Sequence, residues 1–197
     1  MKLAKSFFIR ENITVIARQL LGKVLVSNIN NQITSGMIVE VEAYSWKERG
    51  SHAFKGMTKR NEVMFDTGGY AYVYLCYGVH EMFNVVTNEK GKADAILIRA
   101  LEPLFGIETM LNRMNTNSPI RITSGPGKLA RAMAIDRKLN GEDLMMNKIW
   151  IEDQGIKIKR SEIVSSVRIG IDYAGEDALL PWRFTIKGNK WMSKPST

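Results

Sequence analysis

Two alternating patterns constrain this chain more than any other feature of its sequence. In the first, residues 37–44, apolar side chains alternate with a second set that includes Glu40, Glu42 and Tyr44. This is the period of a half-buried strand, with the apolar set facing a core and the acids and the phenol sharing the other face. Most exposed strand faces are polar, so the pattern alone fits a solvated surface as well as a functional site.

The second pattern is an aromatic hairpin that follows a polar loop. Tyr70, Tyr72 and Tyr74 recur at every second position, which places three phenols on one strand face. Tyr77-Gly78 then predicts a tight reversal, and residues 82–87 predict the return strand. A tyrosine at a hairpin tip has little core to contact, so Tyr77 is a candidate for an aromatic side chain presented outward. The alternative is a tyrosine folded back over the hairpin.

The composition is typical of one soluble globular domain, and the charge favours an acidic partner. The chain has 197 residues, and its 28 Lys and Arg exceed its 20 Asp and Glu, so the net charge is +8. Such an excess, spread along the chain, favours nucleic acid first and an anionic membrane second. One cysteine and two histidines argue against disulfides and a Cys/His zinc site. The absence of a membrane-length apolar run or signal-peptide pattern predicts a cytoplasmic location.

The remaining elements are predicted from capping and periodicity. Asn12 is expected to cap a helix that runs to Leu21, Pro103 to open a second helix, and Ser124 to cap a third. The other expected strands are residues 23–27, 95–100, 148–152, 155–159, 163–171 and 179–187.

Two cationic residues in these elements suggest specific contacts. Arg99 interrupts an apolar strand, and a buried arginine must be paired, so Glu42 is its predicted partner; the alternative is a solvent-exposed position at the strand edge. Lys128 follows Ser124-Gly125-Pro126-Gly127 at a predicted helix start, where backbone N–H groups and a cation can meet a phosphate. A plain helix N-terminus explains that segment equally well.

Taken together, the ordered motifs of this chain resemble those of the alkyladenine DNA glycosylases, also called the methylpurine or 3-methyladenine DNA glycosylase family. The motifs are EAY at Glu42–Tyr44, His52, KRNEVMF at Lys59–Phe65, YVYLCYG at Tyr72–Gly78, Asn84, LIRALEP at Leu97–Pro103 and SGPGKL at Ser124–Leu129. The resemblance covers residues from about 5 to 193. It implies one mixed α/β domain over residues 1–197, built around a curved antiparallel sheet with surrounding helices and a protruding hairpin.

The resemblance also implies a role for each matching residue. Glu42 falls on the catalytic acid that activates water, and Arg99 lies beside that water. Tyr44, His52 and Tyr74 fall on the aromatic base pocket, and Asn84 on the pocket residue that helps to exclude the amino group of guanine. Tyr77 falls on the side chain that fills the gap left by a flipped nucleotide. The remaining matches, at the DNA backbone, are Lys59, Arg60 and Lys128.

The implied activity is a monofunctional glycosylase that hydrolytically removes alkylated or deaminated purines from duplex DNA. The resemblance implies no metal and no cofactor, and the chain is expected to act as a monomer on double-stranded DNA. Two alternatives remain open from sequence. One is a non-catalytic nucleic-acid binding module whose tyrosines form a stacking platform, and the other is a β-barrel domain of the formyltransferase or translation-associated kind. A functional carboxylate at Glu42 and an outward-facing Tyr77 distinguish the glycosylase interpretation from both of these alternatives.

Overall fold

An eight-stranded sheet forms the centre of the protein in the computed structural model, which describes residues 1–193. Each of its strand pairs is antiparallel. The strands are β1 (Val24–Ile29), β2 (Gln32–Tyr44), β3 (Ala71–Cys76), β4 (His80–Thr87), β5 (Asp94–Phe105), β6 (Ile149–Glu152), β7 (Ile163–Ser166) and β8 (Arg183–Ile186).

The long strand β2 organises this sheet. The strand order is β3-β4-β5-β2-β1-β6, and β8 joins at β2 with β7 beyond it. Residues 32–37 of β2 pair with β1, while residues 40–42 pair with β8. Because β2 changes its partner along its length, the sheet curls into a half-barrel. The expected mixed α/β fold with a curved antiparallel sheet is confirmed, and β3 and β4 form the expected hairpin.

Four α-helices pack around the sheet in the described part of the chain. They are α1 (Lys5–Phe8), α2 (Ile13–Leu20), α3 (Ile107–Met114) and α4 (Pro126–Ala132). The side chain of Asn12 accepts a hydrogen bond from the Val15 N–H, so the predicted cap of α2 is confirmed. Helix α2 contacts β2, and α4 contacts β4. No helix within residues 1–193 has the length and apolarity that crossing a bilayer requires.

The predicted starts of the other two helices are wrong. Strand β5 continues through Pro103, which pairs with Gly36 beside a register shift in β2, a position where a strand tolerates proline. Helix α3 begins only at Ile107, after Gly106 with φ of 73°. Ser124 does not cap α4, because its hydroxyl donates instead to the carbonyl of Trp191 at 2.7 Å.

Of the strand predictions near the C-terminus, two are too long and one is wrong. Strand β7 ends at Ser166, residues 167–171 form a loop, and residues 155–159 are not a strand. Strand β8 is restricted to Arg183–Ile186. A tertiary contact explains the early end of β7, because Arg168 turns inward to the buried carboxylate of Glu48.

Strand β2 also departs from the simple alternation that its sequence predicts. Its register with β5 shifts on both sides of Glu40. As a result, Ile38 joins Val41 and Ala43 in the main hydrophobic core instead of sharing the face of the acids. Glu40 and Glu42 are both fully buried, so the interpretation of this face as a solvated surface is wrong.

Candidate active site

A row of four paired residues crosses the sheet and sets the floor of the candidate site. Glu42 on β2 is opposite Leu97 on β5, Leu97 is opposite Asn84 on β4, and Asn84 is opposite Tyr72 on β3. Side chains that are directly opposite one another in an antiparallel sheet point to the same face. The sheet therefore brings together residues that are up to 55 positions apart in sequence (42 to 97).

The carboxylate of Glu42 is held by three hydrogen-bond donors. Tyr44 Oη donates to Oε2 at 2.7 Å, and Arg99 Nη1 donates to the same oxygen at 3.1 Å. The backbone N–H of Ile169 donates to Oε1 at 2.8 Å. These contacts fix the plane of a carboxylate that is buried among them. They also leave room on Oε1 for one further donor, such as a water molecule.

Arg99 joins this carboxylate to a second one. Its Nε donates to Glu40 Oε1 at 2.9 Å, and Glu40 also accepts from Arg183 Nε at 2.8 Å and from the Ser193 N–H at 2.6 Å. The predicted pairing of Arg99 with Glu42 is confirmed, and Glu40 is an additional partner that the sequence did not single out. Two arginines against two glutamates leave this buried network without net charge.

Burial and pairing act in opposite directions on the pKa values of Arg99 and Glu40. Burial alone would lower the pKa of Arg99, but the charges of Glu42 and Glu40 outweigh it and raise that pKa. Burial would raise the pKa of Glu40, but the two arginines and the Ser193 hydroxyl lower it. Burial and the charge of Glu42 raise the pKa of Tyr44 well above its usual value. Tyr44 therefore stays a phenol, able to donate, at neutral pH.

Aromatic rings from the hairpin and from the loop before it form one wall. The rings of His52 and Tyr74 have centroids 4.6 Å apart at an interplanar angle of 65°. His52 Nδ1 lies 2.9 Å from the hydroxyl of Tyr72, and the guanidinium of Arg60 lies 5.3 Å from the Tyr74 ring centroid. Tyr72 is buried in a small second core, so it supports His52 instead of lining the cleft.

His52 is neutral over the physiological pH range. Although its side chain is open to solvent on the cleft side, crowding by neighbouring atoms and then the charge of Arg60 lower its pKa to about 4. A folded-state pKa below the ordinary value near 6.5 means that the unfolded chain binds the proton first. The stability that His52 contributes is therefore complete above that ordinary value and is lost as the pH falls toward 4.

We expect this shift to be visible in two measurements. An NMR titration should place the midpoint of the His52 ring near pH 4. The free energy of unfolding of His52→Gln should fall less steeply than that of the native chain between about pH 6.5 and 4. A His52 midpoint at or above its ordinary value would contradict this description of the site.

The tip of the hairpin presents Tyr77 to solvent. Tyr77 and Gly78 both have positive φ, 49° and 72°, and the Val79 N–H donates to the Cys76 carbonyl across the turn. The side chain of Tyr77 is 88% exposed, so the alternative of a ring folded over the hairpin is wrong. A bulky residue in the left-handed region is unfavourable, and packing does not compensate for it here. Such a residue at an exposed tip points to a contact with another molecule.

These groups converge on one cleft of about 570 Å³. The predicted residues that line it are Tyr44, His52, Arg60, Tyr74, Tyr77 and Arg99. Glu42 lies just behind, bonded to three lining residues, and Asn84 lies beside the lining residue Leu97 with its Nδ2 donating to the Tyr72 carbonyl at 3.2 Å. Lys59 is exposed on the same loop as Arg60.

Lys128 also lies outside this cleft. It lines a neighbouring groove on α4, together with His80 from the hairpin. A larger groove of about 760 Å³ lies elsewhere, between the N-terminal segment and residues 153–163. Its lining includes one acid, Asp153, which is held by Lys23 at 2.6 Å, so it offers no comparable arrangement of a carboxylate with aromatic rings.

Sequence reasoning missed the opposite wall of the cleft. Ile169 and Gly170 from the loop after β7, and Tyr173 in the 3-10 helix that follows it, line this wall, and Ile169 contributes a backbone donor to Glu42. A backbone N–H has no side-chain signature, so no signal in the sequence marked this segment. Within residues 1–193, no three His, Cys, Asp or Glu side chains are grouped so that they would hold a metal ion.

Comparison with known proteins gives a consistent result. The model of a family described as Methylpurine-DNA glycosylase (MPG) matches residues 6–190. A protein of Carboxydothermus hydrogenoformans is 46% identical over 194 residues, which cover 98% of this chain and 100% of that protein. A protein of Methanocella arvoryzae is 47% identical over 195 residues, with 98% and 96% coverage. Both relatives carry the name "Putative 3-methyladenine DNA glycosylase".

Proposed function

Because this chain belongs to the methylpurine-DNA glycosylase family, we propose that it removes damaged purines from double-stranded DNA by hydrolysis of the N-glycosidic bond. The observation that carries this proposal is the buried carboxylate of Glu42 at the floor of a cleft walled by tyrosines and a neutral histidine. The substrates are alkylated and deaminated purines of the 3-methyladenine, hypoxanthine and ethenoadenine class.

The proposed chemistry assigns the attacking water to Glu42. Breaking the bond to a purine leaves positive charge on the sugar, and the base departs with the bonding electrons. Oε1 of Glu42 accepts the proton of a water molecule as its oxygen attacks the anomeric carbon, and the carboxylate stabilises the positive sugar. The Ile169 N–H, 2.8 Å from the same oxygen, and Arg99 on the other oxygen keep the carboxylate aligned. The product is an abasic sugar that carries the new hydroxyl.

Recognition of the base is assigned to the aromatic wall and to Asn84. A cationic alkylpurine is attracted to the faces of Tyr44 and Tyr74, and the low pKa of His52 means that no positive ring opposes it. Asn84 is one of the four paired residues at the floor of the site, where its amide restricts the space available to the edge of a base. We therefore assign to Asn84 the exclusion of guanine's amino group.

Access to a stacked base requires that the nucleotide be flipped out of the duplex. Flipping costs a few kcal/mol in unstacking. Tyr77, exposed at the hairpin tip at the rim of the same cleft, is assigned the role of filling the vacated space. Its position on a turn that projects from β3 and β4 is what such a wedge requires.

Binding to the DNA backbone is assigned to basic residues around the cleft. Arg60 lines the cleft, Lys59 is exposed beside it, and Lys128 lies in the groove on α4. The net charge of +8 supplies affinity that does not depend on sequence and that falls with salt concentration. We propose that the whole chain forms one catalytic domain and acts as a monomer. We also propose that it works in the cytoplasm, on the DNA of the nucleoid if the source is bacterial.

A base-release assay tests the proposal. Duplex oligonucleotides with a single hypoxanthine, ethenoadenine or 3-methyladenine are incubated with the protein, and the free base is measured with the undamaged duplex as control. We expect release from at least one lesion and none from the control. Binding to the lesion duplex without release from any of them would refute the glycosylase and favour the non-catalytic binding module.

The proposed enzyme is monofunctional, so we expect an intact strand with an abasic site as its product. A lyase activity requires an amine that attacks the sugar and forms a Schiff base. Among the residues that the structure describes, the side chains lining the cleft include no lysine. Borohydride added during turnover should therefore trap no covalent protein–DNA adduct, and an adduct at the level of a known lyase would contradict this part of the proposal.

A further inference from the structure

A buried ion pair behind the cleft joins two of the loops that line it, the one after β2 and the one after β7. Arg168, in the loop after β7, donates to both oxygens of Glu48, at 2.6 and 2.9 Å. It also donates to the carbonyl of Ala43 at 2.8 Å and to that of Asp177 at 2.9 Å. We call Arg168, Glu48 and these two carbonyls the Arg168 clasp. Both ionic side chains are nearly inaccessible to solvent, with exposures of 0% and 5%.

The clasp touches two parts of the proposed active site. The guanidinium of Arg168 lies 4.7 Å from the ring centroid of Tyr44, whose hydroxyl donates to Glu42. The next residue in the chain is Ile169, whose N–H donates to the other oxygen of Glu42. Two of the three donors that orient Glu42 therefore depend on where Arg168 is held.

Further hydrogen bonds connect the loop that carries Glu48 to the segment that follows Arg168. Glu48 Oε2 accepts from the Gly50 N–H at 2.7 Å, and Tyr173 Oη donates to the Gly50 carbonyl at 3.2 Å. A Cβ added at Gly50 would lie 2.9 Å from Glu48 Oε2, so the loop has no space for a side chain there. Gly50 and Tyr173 both line the cleft. The clasp thus fixes the width of the cleft as well as the orientation of Glu42.

Stability alone does not explain why an ion pair occupies this place. A buried pair is seldom more stabilising than well-packed apolar side chains of similar volume, because both charges lose their water. This one carries an additional cost, since Arg168 Nε is buried and has no hydrogen-bond partner within the described structure. The fork of a guanidinium, however, can bind both oxygens of a carboxylate and two carbonyls at once in a fixed geometry, whereas lysine has only three donors and an apolar residue has none.

We propose that Arg168, with Glu48, is a positioning residue for base excision: it orients Glu42 through the Ile169 N–H and through Tyr44, whose hydroxyl donates to the same carboxylate. This inference rests on the proposed function. It assigns no contact between Arg168 and the substrate. Because Glu48 neutralises the guanidinium, the clasp places a rigid support behind Tyr44 without repelling a cationic purine.

Single-turnover base release by Arg168→Met and Arg168→Lys tests the inference. Misplacement of a reacting group by about 1 Å can cost two orders of magnitude in rate. We expect Arg168→Met to be about 10- to 100-fold slower than the native protein at saturating enzyme, and Arg168→Lys to recover only part of that loss. Lesion-DNA affinity should change by less than about threefold, because the backbone contacts and Tyr77 are untouched.

A double-mutant cycle with Glu42→Gln separates positioning from simple loss of folded protein. If Arg168 acts through Glu42, its replacement should slow base release about 10- to 100-fold in the native background and hardly at all when Glu42 is already glutamine. A purely structural role would lower both rates by the same factor. Lys23→Met, which breaks the ion pair with Asp153 far from the cleft, is the matched control and should leave the rate unchanged.

The outcomes are distinct. If Arg168→Met slows release equally in both backgrounds, or releases the base at the native rate, the positioning role of Arg168 is overturned while the proposed function stands. Absence of base release by the native protein overturns the proposed function itself. If Arg168→Met fails to fold, the same cycle with Arg168→Lys decides between the two roles.

Discussion

We expect Glu42→Gln to slow base release by about two or more orders of magnitude while lesion-DNA binding stays nearly intact. A glutamine cannot take a proton from water, and loss of a positioned acid–base group costs a factor of this size. Binding should survive because Arg99 keeps its second carboxylate, Glu40, at 2.9 Å. Single-turnover release from a lesion duplex measures the rate, and a gel-shift or anisotropy titration measures the affinity.

Glu102→Gln is the matched control for this experiment. Glu102 lies on β5, next to β2, but its carboxylate accepts from Asn189 at 2.7 Å and does not line the cleft. The Glu102→Gln variant should release the base at the rate of the native protein. Near-normal release by Glu42→Gln, with the control also normal, would remove Glu42 from the mechanism.

Replacement of Tyr77 should produce the largest loss of affinity. A ring that fills the vacated stack is worth about 1–3 kcal/mol by analogy with base–aromatic stacking, so Tyr77→Ala should bind lesion duplex up to roughly two orders of magnitude more weakly. Tyr77→Phe should lose little, because the ring and not the hydroxyl makes the contact. Because Tyr77 is 88% exposed, the melting temperature of the alanine variant should match that of the native protein.

Two further variants sharpen this test. Tyr77→Gly also removes the ring but relieves the positive φ of 49°, so it should melt slightly higher than the native protein and bind as weakly as Tyr77→Ala. Phe105→Ala removes another exposed aromatic ring at the end of β5, away from the cleft, and should bind normally. Normal lesion binding by the alanine variant, together with a lower melting temperature, would show that Tyr77 is a structural residue.

Local patterns predicted much of the sheet because they report directly on strand faces. The alternation in residues 37–44 and the tyrosines before Tyr77-Gly78 predicted β2 and the β3–β4 hairpin. The prediction that Arg99 requires a carboxylate also succeeded, since the cost of an unpaired buried charge is general. The resemblance to the glycosylase family, confirmed by the family match over residues 6–190, supplied the candidate roles.

The errors have a common physical cause. Pro103 and the segment 163–171 were assigned from local preferences, but pairing with β2 extends one element and the inward turn of Arg168 ends the other. The buried state of Glu40 and Glu42 was not determined by their pattern either, because a strand face has the same alternation whether water or another strand covers it.

The sequence by itself determined which residue types are available and on which strand faces they lie: a carboxylate and a phenol two positions apart, three alternating tyrosines and an aromatic residue at a reversal. Only the tertiary structure decided how these groups meet. The partner change along β2 curls the sheet and aligns Glu42, Leu97 and Asn84 in one row. The loop after β7 then contributes a backbone donor from 127 residues away. Such contacts depend on chain geometry and on the cost of burying charge, and neither is written in any local pattern.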